Sequence, residues 1–433
     1  MHVLFTHRAF PAQFGRLALE LTRRYGWKCS FIVEHLSRCP EPSPEMLRHL
    51  DIHYLPRRPD AAPASWPQRY GQVMERAQAL FEAVRARPDL RPDLVVGHGG
   101  LLPTLLLRDL LNCPFVDYCE YYFAPAHRDL SYRLDLPAVE PAPFYPRCIN
   151  AATLVNLCAC DSAYTPTHWQ RDSFLARFAG KLEVHFDGID TELYPPSQGP
   201  RVVALHKLPA DKQVVTFVAR GLEAARGFDL FLRLAQRIGR ERPDVLFVVV
   251  GGEQTHYGWD TLFTGSESFQ QWAMKQDAYD LSRFLFLGRV KAAELTALLC
   301  QSDLHVYLGV PFVLSWSLFN ALACGCVVLA GDVPAVREII RPDENGLLAP
   351  LLDEESLSEA ALRVLDDPPT FRPLGVAGRR LIEEKYSLEV VVPELKTYFE
   401  RAASQSRPAA VPLADSEVIF PTPRGGDGAG SPP

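Results

Sequence analysis

Residues His305 to Ile340, HVYLGVPFVLSWSLFNALACGCVVLAGDVPAVREII, constrain the fold more than any other stretch. The pattern predicts a strand at His305–Leu308, a loop at Gly309–Leu314 and a helix at about Ser315–Cys324. A second strand follows at Val327–Ala330, and a second helix opens near Pro334. Ser315 and Ser317 are both candidate N-caps, because a hydroxyl can accept a hydrogen bond from a free N–H of the first turn. Gly325 stands where a helix ends in the left-handed conformation. The strand Val327–Ala330 is apolar on both faces, as in a parallel sheet covered by helices. Ligands of such sheets bind beyond the carboxyl ends of the strands. That places Gly309–Ser317 in a cleft, where free N–H groups and a helix dipole suit an anion such as a diphosphate.

Alternating short strands and helices recur on both sides of this stretch and predict two Rossmann-like α/β units. With 433 residues the chain exceeds one ordinary core. In the first half, strands are expected at His2–Thr6, Cys29–Val33, Asp93–Val96, Phe115–Tyr118, Cys160–Ser162 and Leu182–His185. Helices are expected at Gly15–Tyr25, Tyr70–Arg87, Leu101–Leu110 and Asn150–Cys158, and one opens at Thr165-Pro166-Thr167. Residues 7–14 and 54–65 read as loops, and the proline-rich residues 194–211 as a linker. The second half offers strands at Val214–Val218, Val245–Val250 and Phe284–Leu287. Its helices are expected at Asp229–Arg237, Lys291–Cys300, Asp353–Leu365, Leu374–Lys385 and Leu388–Ala402. Residues 404–433, rich in Pro, Gly and Ser, read as a disordered tail.

A net charge of -7 and a pI near 6.0 argue against general nucleic-acid binding. No run reaches the ~18 apolar residues that span a bilayer, and Met1-His-Val-Leu-Phe enters a strand without a signal-peptide pattern. Cys324 and Cys326 fall at an apolar helix–strand junction and read as small core residues, and reduced thiols suit the cytoplasm. Arg16, Arg23, Arg24 and Lys28 read as a solvated face, with peripheral membrane contact as the alternative. No Asp-x-Asp motif for a divalent ion occurs in the sequence.

Arg220 and Arg226 are the sharpest pair. Both lie between a buried strand and the next helix, where an anion binds. Two guanidinium groups there can stabilise the charge of a departing diphosphate without a metal. His98 ends a first-half strand, in Gly97-His98-Gly99-Gly100, and Glu120-Tyr121-Tyr122 follows another. A carboxylate and aromatic rings suit sugar hydroxyls and sugar faces, and buried aromatic packing is the competing explanation.

These stretches resemble the family 4 (group 1) retaining glycosyltransferases. PFVLSWSL followed by ALACGCVVLAGDVPAVREII is similar to the family's donor-site segment, and Gly188-Ile189-Asp190 to the phrase that closes its first domain. The resemblance implies a GT-B architecture, α/β, with two Rossmann-like doubly wound domains facing across a cleft. Residues 1–200 would form the acceptor domain and 201–387 the donor domain, and a helix at about 388–402 would cross back to the first. It implies a metal-free transfer from a nucleotide-diphosphate sugar to a sugar or glycolipid acceptor, with no cofactor, by front-face displacement. Arg220, Arg226 and His98 would be catalytic. The amides of Val313, Leu314 and Ser315 would meet sugar or phosphate, Asn320 the ribose, and the backbone at Arg289-Val290 the base. Gln13, Glu120 and Tyr121 would contact sugar or acceptor. Where the family has a pair of glutamates, this chain has Phe312 and Asn320. That departure keeps a second reading open, a non-catalytic relative that binds a nucleotide sugar or a partner enzyme. A dinucleotide-dependent oxidoreductase would need Gly-x-Gly-x-x-Gly after a first strand, which neither half has.

Overall fold

A computed structural model describes residues 1–37, 41–56, 66–124, 129, 132–137, 144–195 and 202–405. Seven parallel strands form the first sheet: β1 (His2–Phe10), β2 (Lys28–Leu36), β3 (Asp51–Tyr54), β4 (Leu94–His98), β5 (Phe115–Tyr118), β6 (Ser162–Thr165) and β7 (Leu182–Val184). Their spatial order is β3-β2-β1-β4-β5-β6-β7. A short antiparallel pair, β8 (Val202–Val203) and β9 (His206–Lys207), lies within the expected linker. The second sheet holds β10 (Gln213–Gly221), β11 (Val245–Gly252), β12 (Phe284–Gly288), β13 (Leu304–Tyr307), β14 (Val328–Gly331) and β15 (Leu347–Ala349). It runs in the order β12-β11-β10-β13-β14-β15. Both sheets are doubly wound. Each reverses direction once, between β1 and β4 and between β10 and β13, and such a switch point opens a crevice at the carboxyl ends of the strands.

The crossover is built by helix Leu388–Ala403. Its entry is pinned by backbone bonds from Ile189 N to Tyr386 O (2.7 Å) and from Leu388 N to Ile189 O (2.9 Å). Phe399 then packs against Phe5 and Tyr164 of the first sheet. Its aromatic ring contacts and buried apolar face hold this helix where burial, not propensity, decides its place. Further bonds join the two halves. Arg133, 3% exposed at its side chain, forks onto Asp229 at 2.6 and 3.1 Å. Glu338 accepts from the backbone N–H groups of His168 and Trp169, both at 2.8 Å, at the start of helix His168–Ser173.

Five points of that reading need correction. β1 runs on to Phe10 through the expected loop, because β2 is long enough to pair with it up to Leu36. The edge strand β3 was not anticipated. Leu101–Leu110 is not an α-helix: Pro103 disfavours helical backbone at Leu102, and only the short 3₁₀ segment Leu105–Asp109 forms. The Thr104 N–H is instead taken by Asn156 Oδ1 at 2.8 Å. Thr167 caps helix His168–Ser173, so Pro166 lies before that helix and not in its first turn. The helix expected at Leu374–Lys385 begins earlier, at Pro368. Residues 57–65, 196–201 and 406–433, which include most of the expected loop, part of the linker and nearly all of the tail, lie outside the described residues.

Arg24 pairs with Glu20 (2.7 Å) and Glu389 (2.8 Å), and Arg16 with Asp190, so much of the basic face of the first helix is neutralised within the chain. Among the described residues no helix is long and apolar enough to cross a membrane.

Candidate donor and acceptor site

At the second switch point, β10 ends with an exposed Arg220. The chain turns through Ala224–Arg226 and Gly227 (φ 73°) into helix Phe228–Glu241. A Cβ at Gly227 would stand 2.3 Å from the Leu308 carbonyl, so only glycine lets the turn close against the end of β13. Across it, Ser315 caps helix Trp316–Ala323 by accepting from Ser317 N at 3.3 Å, while Ser317 sits inside the first turn. Arg226 is 8% exposed, donates from Nη1 to the Val313 carbonyl at 3.0 Å and lies 5.1 Å over the Tyr257 ring. Arg220 and Arg226 are thus brought to one crevice, the second anchored and the first open.

Three side chains complete this crevice: Glu223 and His256, which no local motif singles out, and Arg289, expected only for its backbone. Glu223 is fully buried, accepts from the backbone N–H groups of His256 and Tyr257, and approaches Arg226 Nε at 3.8 Å. Burial pushes its carboxyl up to about 7 against the pull of Arg226. Arg289, just past β12, lies with Nη2 at 3.3 Å from His256 Nε2 and at 3.4 Å from Gln254 Oε1. Burial, then Arg220, Arg289 and Arg226, lower the His256 ring to about 4. A cavity of about 590 Å³, lined by Leu222, Gly252, Gln254, Phe286, Gly288 and Arg289, opens beside the group. Val290 is half-buried at its margin, its side chain turned into a small apolar cluster with Val250 and Leu298.

At the first switch point His98 ends β4 and is 2% exposed. Its ring lies 5.2 Å from the rings of His7 and Tyr118, and Nε2 is 3.7 Å from Glu120 Oε2. Both His98 ring nitrogens lack a hydrogen-bond partner among the described residues. Burial raises Asp117, on β5, to about 6 and Asp187 to about 7. Asp187 Oδ2 accepts from Trp316 Nε1 of the other half at 3.0 Å, so the two crevices face one another. Gln13 precedes helix Phe14–Tyr25 without capping it, and no hydrogen bond or ion pair among the described residues joins it to His98 or Glu120.

Phe312 is 2% exposed and packs among Tyr121 (4.7 Å), Tyr257 (5.1 Å) and Phe123 (5.6 Å). Tyr121 is therefore part of an aromatic cluster that spans the two halves. Asn320 is half-buried on helix Trp316–Ala323, and its side chain makes no hydrogen bond to a described residue. The three amides expected to bind sugar or phosphate are not equivalent. Ser315 N already donates to the Tyr307 hydroxyl at 3.0 Å, which leaves Val313 and Leu314. Cys324 and Cys326 are buried, as expected of core residues. Among the described residues no group of three or more His, Cys, Asp or Glu is arranged to hold a metal ion.

Comparison with known proteins gives a consistent picture. A model described as glycosyl transferase family 4 group matches residues 31–194, and one described as glycosyl transferases group 1 matches residues 212–367. N-acetyl-alpha-D-glucosaminyl L-malate synthase of Bacillus anthracis is 28% identical over 27% of this chain and 30% of its own length. Alpha-maltose-1-phosphate synthase of Mycolicibacterium smegmatis is 26% identical over 53% of this chain and 60% of its own. These matches span less than two thirds of the relatives. Among solved structures, sucrose-phosphate synthase from Thermosynechococcus elongatus superposes with a TM-score of 0.71 at 20% identity, covering 93% of this chain and 98% of that one. The Anabaena protein Alr3699/HepE, solved with UDP-glucose, superposes at 0.65 and 14% identity, covering 93% and 100%. The shared architecture is GT-B.

Proposed function

Since the chain belongs to the family 4, group 1 glycosyltransferases, we propose that it transfers a sugar from a nucleotide-diphosphate donor to an acceptor hydroxyl, with retention and without a metal. The observation that carries this reading is Arg226, buried at the second switch point and held by the Val313 carbonyl beside the open Arg220. Charge grows on the leaving diphosphate as the glycosidic bond breaks. A guanidinium group fixed in advance, as that of Arg226 is, stabilises that charge at little cost of reorganisation. The proposal assigns residues 201–387 to the donor and residues 1–200, with the crossover helix, to the acceptor. The Val313 and Leu314 amides meet phosphate or sugar, Asn320 the ribose, and the backbone at Val290 the base. His98 and Glu120 hold hydroxyls across the cleft, with Gln13 and Tyr121 at its edge. Attack and departure share one face of the sugar, and a leaving-phosphate oxygen takes the acceptor proton.

UDP-glucose, seen in the Anabaena neighbour, and GDP-mannose, named in the mannosyltransferase of Corynebacterium glutamicum, are the first donors to test. The phosphatidylinositol acceptors in the names of several relatives support a glycolipid acceptor and a cytoplasmic protein touching the inner membrane face. A second reading, nucleotide-sugar binding without turnover, is favoured by Phe312, which fills with aromatic rings the place of a family carboxylate. Nucleoside diphosphate release in the presence of glycolipid and sugar acceptors separates the two. Turnover supports the transferase. Tight binding with no release across an acceptor panel supports the binding protein.

A further inference from the structure

The His256 ring is wedged between the ends of two strands. On one side is Gly221, where a Cβ would come within 3.0 Å of the ring. On the other is Arg289, 3.3 Å from Nε2. Its backbone N–H is fixed by Glu223. The groups that face it are Arg220 from β10, Glu223 and Arg226 from the turn after it, and Arg289 from the end of β12. Three guanidinium groups therefore converge on a half-buried imidazole, with one buried carboxyl among them. Resting on the donor-site reading above, we propose that His256 is a further donor-binding residue, which takes up a proton from solvent when a nucleotide diphosphate settles among Arg220, Arg226 and Arg289.

The free ring accepts from Arg289 and stays neutral, its pKa lowered to about 4 by burial and by the arginines. An arriving diphosphate cancels their field. The imidazole then gains a proton and becomes a donor to a phosphate oxygen. Binding coupled to proton uptake weakens as pH rises through the interval between the free and bound pKa values, by up to about tenfold in association constant per unit. Glu223, already raised to about 7, is pushed the same way by an anion, so its share must be separated.

Calorimetric titration with UDP-glucose, GDP-mannose and ADP-glucose across about pH 5 to 8 tests the proposal. A nucleotide sugar serves better than a free nucleoside diphosphate, whose terminal phosphate itself titrates near about pH 6. The wild-type protein should bind the best of the three roughly tenfold more tightly at the acid end than at the alkaline end. Glu223→Gln should keep most of that slope, and His256→Gln should lose it. In the unmodified protein, the His256 ring followed by NMR should titrate near about 4 when free and above about 6 when bound. A His256→Gln protein with the wild-type slope, or a ring pKa unmoved by donor, overturns this inference alone. Failure of all three nucleotide sugars to bind overturns the donor-site reading and this inference with it.

Discussion

At the switch point of the first sheet, between β1 and β4, the chain gathers His7, His98, Asp117 and Glu120. At that of the second, between β10 and β13, it gathers Arg220, Arg226 and Arg289 around His256. The sheets are wound alike and their carboxyl ends face each other through Trp316 and Asp187. Topology therefore opens a crevice on each half, and the charge of the two crevices differs. On the proposed reading, a diphosphate is repelled by the carboxylates of the first crevice and attracted by the guanidinium groups of the second. A polyol, uncharged and rich in hydroxyls, suits the first. Burial is the largest cause of the shifts in both crevices: Asp117 and Asp187 rise to about 6 and about 7 in the first, and Glu223 rises to about 7 in the second, where the arginines add to the lowering of His256 to about 4.

The contrast breaks most visibly if the arginines are removed. Arg226→Ala should lower the transfer rate by roughly 10²-fold or more, because it deletes a preorganised donor to the leaving group. The check is initial rate at saturating acceptor, with circular dichroism confirming the fold.

On the acidic side, Asp187 tests the polarity through stability. Its folded pKa, about 7, is raised from 3.8, so the native state holds the proton more tightly than the unfolded chain. Stability should fall as pH rises from about 4 to about 7, with a slope of up to about 1.4 kcal/mol per unit for the group. Asp187→Asn keeps an acceptor for Trp316 and should flatten that slope, and urea unfolding at several pH values measures it.

Asn320 sharpens the comparison on the cationic side. If it accepts from a ribose hydroxyl, Asn320→Glu supplies a charged acceptor and should tighten donor binding by roughly 1 kcal/mol, with Asn320→Ala weakening it. Calorimetry on the three proteins decides. The smallest expected effect is that of chelation. Transfer should survive EDTA, since the charge is met by arginines, and loss restored by magnesium or manganese would contradict that.

The parts of the fold legible in the sequence were those written in local chemistry. The apolar run after Gly325, the Ser315 cap and the glycine itself, at φ 78°, announce a helix–strand junction that the structure contains. β3 escaped because Asp51-Ile-His-Tyr is an edge strand of four residues, too short for the alternation of Ile52 and Tyr54 to stand out. Leu101–Leu110 misled because its leucines keep helical spacing while Pro103 and the Asn156–Thr104 bond forbid the helix. Arg220 and Arg226 were visible because one loop holds both. His256 was not, and Arg289 was expected only for its backbone; their side chains meet only when β11 and β12 pair, and no short motif spans that distance. Phe312 was seen as a departure, but its partners Tyr121 and Phe123 lie in the other half and appear only in three dimensions.

The most direct test of the opposed crevices is donor affinity in two variants, Arg220→Ala and His98→Ala, by calorimetry with the nucleotide sugar that binds the wild-type protein best. Arg220 is exposed, so its loss leaves the core intact. Arg220→Ala should weaken binding by at least roughly tenfold, the loss of a charge-assisted bond to phosphate, while His98→Ala changes it far less and acts on transfer. Equal losses in the two variants, or a larger loss in His98→Ala, would contradict the assignment of the diphosphate to the second crevice.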